Sequence, residues 1–415
     1  MAVVEPRYQL PSRTTFSRHL LPELYNKTKQ ALVRRITSDL VGPGDDADPC
    51  SGCPAFSFTT DCWTSSAMDP YISFTLSYLT SDFILHAVAL ENKPLKCSHT
   101  AEAILDSLEK SMESWNLPQE IPVFCVRDNG KNIKAAIRRS EWYDLACFAH
   151  TLQLAIGDAK AACDGVEAML TKCRRLVTHY HHSCVASSRI NSYQRARGQP
   201  EYDFIAACPT RWNSDLAMVS RLLVLKESVA ADIAAVGDVE NLTTSEWKMA
   251  EGFEAILKPL DESTRDSCGE KYPTRSMIIP LIFGMTENLQ KFIADPSNRG
   301  FGVTFARKLL ACIRGRFPSY QTAIPDCLAT FLDPRFKALL FHANPNAVAY
   351  IEESLKEFGE HMIKAATTRH ATVSQSHPGD ENQSIVPQSA SASSTTSTSV
   401  TASQQLSTPG TSSFS

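Results

Sequence analysis

The stretch "SFTTDCWTSS", residues 57–66, decides how this chain is read. Phe58, Thr59, Thr60 and Trp63 favour an extended backbone, because β-branched and aromatic side chains pack well on a pleated surface. Asp61 breaks that pattern, since a carboxylate is costly to bury without a partner. A second carboxylate stands in the same situation downstream. "PVFCVRDNG", residues 122–130, is a short apolar strand that stops at Asp128-Asn129-Gly130.

Outward from Asp61 the pattern has period two. "YISFTLSYL" alternates Ile72, Phe74, Leu76 and Tyr78 against Tyr71, Ser73, Thr75 and Ser77, and "FILHAVAL" (83–90) is a mostly apolar strand. With residues 57–62 these make three consecutive antiparallel strands. Ile104, Leu105, Leu108, Met112 and Trp115 then form a helical stripe that Pro118 ends. After the strand at 122–130 come a helix (131–139) and a strand "WYDLACFAH" (142–150). The order β-β-β-α-β-α-β predicts an α/β layer over residues 55–150, with crossover-linked strands after the antiparallel ones. In such a sheet the fourth strand pairs beside the first, which brings Asp61 and Asp128 within a few ångströms. Two carboxylates so placed repel unless a cation lies between them. Mg²⁺ or Mn²⁺ with water and phosphate oxygens suits such a pair. The plainer reading is that Asp61 caps a strand end and Asp128 opens an ordinary Asp-Asn-Gly turn.

Around this layer the chain changes character three times. Residues 1–54 read as an arm with one helix, carrying Leu20, Leu21, Leu24 and Leu32 at helical spacing, followed by the turn-rich "GPGDDADPCSGCP" (42–54). Cys50 and Cys53 in that break have no second ligand pair at finger spacing and read as loop thiols, so no zinc site is expected. Residues 151–365 read as helix after helix. Residues 366–415 form a Ser/Thr-rich tail; from 371 onward it holds 21 Ser or Thr and no Lys or Arg. Such a composition predicts disorder. Of the 415 residues 41 are basic and 45 acidic, so any nucleic-acid surface must be local. No apolar run is long enough for a membrane helix, no signal peptide is visible, and thirteen scattered cysteines suit a reducing compartment.

Three segments carry further chemistry. In "CPTRWNS" (208–214) Arg211 can grip a phosphate through two hydrogen bonds, and Trp212 can stack on an unstacked base. Equally, the segment can be a helix start with Thr210 or Asn213 as cap and Trp212 packed inside. Residues 171–200 hold Lys172, Arg174, Arg175, Arg189, Arg195 and Arg197 with no acidic residue, which suggests a backbone-binding groove or a solvated face. "CFAH" places Cys147 and His150 three apart, half of a zinc site without its other half, and is read as structural.

Eight collinear segments, "PSRTTF", "TTDCWTS", "YISFTLSYL", "HTAEAI", "VRDNGKNIKAAI", "CFAHTLQLAI", "CPTRWNS" and "FLDPRFKAL", resemble the hAT transposase superfamily, and within it the transposase-like body of zinc finger BED domain-containing proteins. The resemblance runs from about residue 8 to 365. It implies an RNase H-like domain interrupted by a large all-α insertion domain. It implies that Asp61 and Asp128 are the first and second catalytic metal ligands, and that Cys208, Arg211 and Trp212 belong to a DNA-contacting motif in which the Trp stacks on a flipped base. Arg127 stands where the family usually has Thr, so an extra cation beside Asp128 is expected to weaken metal binding or pair with Asp128. The family's third carboxylate, in a "SERxFS"-like segment, has no counterpart here; neither has the BED finger or the C-terminal dimerisation region. The expectation is a nuclear, transposase-derived protein that associates with DNA or regulates transcription without strand transfer, binds nuclear proteins, and forms no dimer by the family's route. The alternatives are a fragment of an active metal-dependent DNA transposase and a protein-interaction scaffold with a phosphorylated tail.

Overall fold

The computed structural model describes residues 11–41, 55–80, 82–95, 100–119, 121–208, 210–269, 272–318, 320–341 and 348–360. Cys50, Cys53 and the tail at 366–415 lie outside the described residues.

The first helical run consists of α1 (Arg13–Thr15), a π-helical turn (Phe16–Leu20) and α2 (Leu21–Val41). Ser12 caps it by accepting the Thr15 N–H at 3.0 Å. Only its far end is anchored: Ile36 and Leu40 are buried in the sheet's core, whereas Leu20, Leu21 and Leu24 of the expected apolar stripe are exposed.

The sheet is built from β1 (Phe56–Thr60), β2 (Cys62–Thr64), β3 (Pro70–Leu79), β4 (Leu85–Pro94), β5 (Val123–Arg127) and β6 (Tyr143–Ala146). Strand β3 is antiparallel to β1 and β4, while β5 is parallel to β1 and to β6. The sheet is therefore mixed, and β5 does lie beside β1. β2 continues the line of β1 along β3, with Phe56 opposite Tyr78 and Cys62 opposite Ile72. The alternation read in β3 holds: Ile72, Phe74, Leu76 and Tyr78 are buried, and Phe58 stacks on Phe74 at 4.6 Å between ring centroids. Helices α3 (Ala101–Ser114) and α4 (Lys131–Ile137) cover this face through Ile104, Leu108, Met112, Ile133 and Ile137.

Two expected strands end differently. The strand expected at 57–62 is interrupted at Asp61, because the Asp61 N–H turns to the Ser73 Oγ (3.0 Å) while the Asp61 carbonyl still receives the Ser73 N–H (3.0 Å). The strand expected at 142–150 stops at Ala146, because α5 (Phe148–Ala161) begins at once and takes His150 into its first turn.

From α5 onward the described residues are helical: α6 (Val166–His182), α7 (Cys184–Ala196), α8 (Trp212–Val236), α9 (Thr244–Ser267), α10 (Ile278–Ala294), α11 (Phe301–Arg316) and α12 (Ile324–Leu332). Helices α5 to α11 share one core, with Leu152, Leu176, Val219, Phe253, Leu257 and Phe305 fully buried, while Cys327 and Leu328 of α12 form a smaller core with Ile279, Phe341 and Ile351. Gly252 and Gly302 let α9 and α11 touch, for a Cβ on Gly252 would lie 3.2 Å from the Gly302 Cα. Helix 348–360 returns to the sheet, where Phe358 packs 6.1 Å from Phe124 and 6.2 Å from Tyr143. Among the described residues no helix is long and apolar enough to cross a membrane.

Candidate functional site

Parallel pairing of β1 with β5, and of β5 with β6, carries the ends of all three strands to one edge of the sheet. Thr60 pairs with Arg127, so Asp61 and Asp128 are the next residues in line on strands roughly 4.8 Å apart. Both carboxylates also serve the local backbone. Asp61 Oδ1 accepts the Cys62 N–H at 2.9 Å, and Asp128 Oδ1 accepts the Gly130 N–H at 2.9 Å. The turn expected at Asp128 is present, since its carboxylate accepts from Gly130, and the strand register sets that turn beside Asp61.

The electrostatics follow from this placement. Partial burial raises the Asp61 carboxyl above its ordinary value, and the charge of Asp128 raises it further; the Cys62 N–H and nearby His150 pull it back. Burial pushes the Cys62 thiol up to about 12, with Asp128 and Asp61 adding to it. Burial likewise raises the Cys147 thiol. The neighbours therefore stay protonated thiols, and the site presents carboxylate oxygens. Asp61 Oδ2 and Asp128 Oδ2 make no hydrogen bond among the described residues, so each aspartate keeps an oxygen for coordination. Two such oxygens fit a hard divalent cation that completes its shell with water or phosphate. Among the described residues no group of three or more His, Cys, Asp or Glu is arranged to hold a metal ion.

Arg127 does not pair with the Asp128 carboxylate. It is only 4% exposed and turns to Asp144, one strand over, with Nη2 2.7 Å from both carboxylate oxygens, while Nη1 donates to the Asp128 carbonyl at 2.8 Å. The extra cation is thus neutralised away from the site and fastens the turn that carries Asp128. Asn129 donates to the Thr151 Oγ1 at 2.8 Å, which ties that turn to α5. Arg275, at the foot of α10, forms an ion pair with Asp326 and reaches the Ala146 carbonyl at 3.5 Å. His150 was not legible as a neighbour of Asp61; only the order β1-β5-β6 reveals it.

The second group of candidates lies apart, in the helical region. Trp212 opens α8 and is 2% exposed; its N–H donates to the Gln153 Oε1 at 2.9 Å, and its ring sits in the core. The ring is packed as the second reading has it, but the expected cap is not: Arg211 holds the N-cap position without a side-chain hydrogen bond, and Asn213 lies inside the helix and donates to Asp261. Arg211 and Cys208 are exposed. Hydrogen bonds from Thr210, with the Arg211 charge adding to them, hold the Cys208 thiol below its ordinary value. The cation-rich stretch is not bare, because carboxylates from other segments meet it. Lys172 pairs with Glu240 (2.8 Å) and Glu246 (3.0 Å), and Arg174 with Glu167 (2.7 Å) and Asp215 (3.0 Å). Arg189, Arg195 and Arg197 pair with Asp232, Glu201 and Glu227. Arg175 stands exposed beside them.

The comparisons with known proteins fit this arrangement. Residues 59–140 match the ZBED1 RNase-like domain, and residues 145–255 match the ZBED1 RNase-like helical domain. The first match runs from β1 through α4, and the second begins in β6. Zinc finger BED domain-containing protein 4 of Homo sapiens is 21% identical over 389 residues, covering 91% of this chain and 31% of that protein. Zinc finger BED domain-containing protein 6 of Homo sapiens is 26% identical over 360 residues, covering 81% of this chain and 35% of that protein. "Putative AC transposase" of Zea mays is 21% identical over 364 residues, covering 81% of this chain and 41% of that protein. The chain thus spans about a third of the length of the two human relatives. These matches and relatives support a transposase-like body similar to that of zinc finger BED domain-containing proteins and hAT-type transposases.

Proposed function

We propose that this chain is a transposase-derived, DNA-associated body that acts in the nucleus as a binding module, in transcription control, rather than as a strand-transfer enzyme. The observation that carries this reading is the make-up of the Asp61–Asp128 corner. Two carboxylates converge there beside His150 and protonated thiols, and among the described residues no third carboxylate stands with them. Two carboxylates suit one Mg²⁺ or Mn²⁺ ion, which would bring Lewis-acid polarisation of a phosphate oxygen. A pair of such ions clamping a phosphodiester needs more carboxylate oxygen than this corner offers. Association with DNA is supported by the transposase-like body and by the exposed Arg211.

The register of Asp61 and Asp128 also favours a second reading, an active DNA-cleaving body completed by residues outside this chain. One experiment separates the two. Duplex binding is measured against salt, and nicking of supercoiled plasmid is followed with Mg²⁺ and with Mn²⁺. The binding module predicts salt-sensitive binding and no nicking above that of Asp61→Ala. Metal-dependent nicking that both Asp61→Ala and Asp128→Ala abolish would establish the enzyme instead.

A further inference from the structure

The first helical run carries a series of solvent-facing cations that, Arg35 apart, no carboxylate meets among the described residues. We propose that the first helical run, from Arg13 to Arg35, is a contact for nucleic-acid backbone, seated in the groove between α2 and the end of α3. This rests on the DNA-associated reading above and assigns it a surface.

Between residues 13 and 35 there are six cations, Arg13, Arg18, Lys27, Lys29, Arg34 and Arg35, against one carboxylate, Glu23. Among the described residues only Arg35 forms an ion pair, with Asp39 at 3.6 Å. The contrast with α6 and α7, where carboxylates from other segments meet the cations, is direct. Residues 12–28 are exposed on every side, so the helix stands clear of the body. Its cations from Arg13 to Arg34 extend over roughly 30 Å at about 1.5 Å per residue. That is the axial length of about nine base pairs.

At the foot of the helix is a groove of about 550 Å³ lined by Asn26, Lys29, Gln30, Val33, Arg34 and Ser114. The five α2 residues recur at i, i+3, i+4, i+7 and i+8, which places them on one face. All of the lining except Val33 carries a hydrogen-bond donor, and none is a carboxylate. Lys29 is positioned in advance: its Nζ lies 4.8 Å from the centroid of the Trp115 ring, and that ring is fixed by its Nε1–H donating to Glu91 at 3.0 Å. Arg34 spends only Nε on the Gln30 carbonyl (3.2 Å), and its terminal nitrogens remain for a phosphate. An anionic bilayer is the competing acceptor for a basic helix that exposes Phe16, Leu20 and Leu24. A bilayer would take up that apolar face, whereas Lys29 and Arg34 line a recess in which Asn26, Gln30 and Ser114 offer further hydrogen-bond donors, which suits a phosphodiester strand.

The test uses the full chain, a labelled DNA duplex of about 20 base pairs, and anisotropy titrations across a salt series. Lys29→Gln combined with Arg34→Gln should weaken binding about tenfold at about 50 mM salt and make the log–log salt slope shallower by about 2. Lys226→Gln, whose ammonium is already held by Glu251 at 2.8 Å, should bind as the unaltered chain does. If the double variant loses its helical circular dichroism, Arg18→Gln with Arg34→Gln, both exposed, replaces it. Unchanged affinity and slope in a folded double variant would overturn the inference and leave DNA association standing. No duplex binding by the unaltered chain at the lowest salt would overturn both. Binding to phosphatidylserine vesicles in place of DNA, lost in the double variant, would reassign the surface to membranes.

Discussion

Asp61 is held where its charge is disfavoured, half-buried and one strand from Asp128. The sign of its effect on stability follows from that. Its carboxyl ionises above the ordinary value of 3.8 in the folded chain, so the folded state binds more protons than the unfolded state across that interval. Asp61 therefore lowers stability as the pH rises from about 3.8 through its raised folded value, and the penalty persists at neutral pH. Asp61→Asn is expected to raise the melting temperature at pH 7 without divalent cation and to steepen the acid limb of the stability profile, because the contribution that falls with rising pH is removed. Mn²⁺ should stabilise the unaltered chain and not Asp61→Asn; equal stabilisation of both, read by thermal melts, would mean that Asp61 takes no part in holding the ion. Both aspartates were legible, because strand-end carboxylates interrupt an apolar pattern. The partner of Arg127 was not. Asp144 faces Cys125 in the β5–β6 register, and Arg127 reaches it by turning back along the strand, which no spacing in the sequence encodes.

At the level of elements, sequence pattern located most helices and strands but not their ends or what covers them. The β1–β5 pairing was readable from element order alone. The neutralisation of residues 171–200 was not, because Asp215, Asp232, Glu240 and Glu246 belong to α8, α9 and the loop between them, tens of residues away. Trp212 was ambiguous for a similar reason: an Arg-Trp pair at a helix start looks the same whether the ring faces water or core. Two element-level predictions follow from contacts. Thr243 and Glu246 form a reciprocal capping box at the start of α9, so Thr243→Ala should cost about 1 kcal/mol, seen as a lower urea midpoint with unchanged slope. Gly252→Val should cost about 2 kcal/mol, because α9 and α11 must move apart to admit the side chain. A variant as stable as the parent would show that the two helices have room at that crossing.

For the molecule as a whole, Asp215 is the polar tie between helices. It is 2% exposed on α8 and accepts from Lys160 of α5 at 2.7 Å and from Arg174 of α6 at 3.0 Å. Asp215→Asn leaves two partly buried cations facing an amide, and a loss of about 2–3 kcal/mol in global unfolding is expected. If chemical denaturation shows no loss, the tie is dispensable. The two-part character of the chain, sheet first and helices after, was legible because its hydrophobic period changes from two to 3.6 near residue 150. The return of Phe358 to Phe124 and Tyr143 was not, since two aromatic residues more than 200 positions apart announce nothing to each other in sequence.

The first helical run has one more consequence. Its stretch from Ser12 to Thr28 is exposed throughout, so its backbone hydrogen bonds rest largely on helix propensity, and isolated helices of about this length are marginal in water. Ile36 and Leu40 hold only the far end. Amide exchange should therefore rise along the helix like a slope, slow near Leu40 and fast before Lys27, and trypsin should cut after Arg18 or Lys27 before it enters the body. A bound polyanion would level that slope, turning the most quickly opened helix of the protein into one of its slower ones.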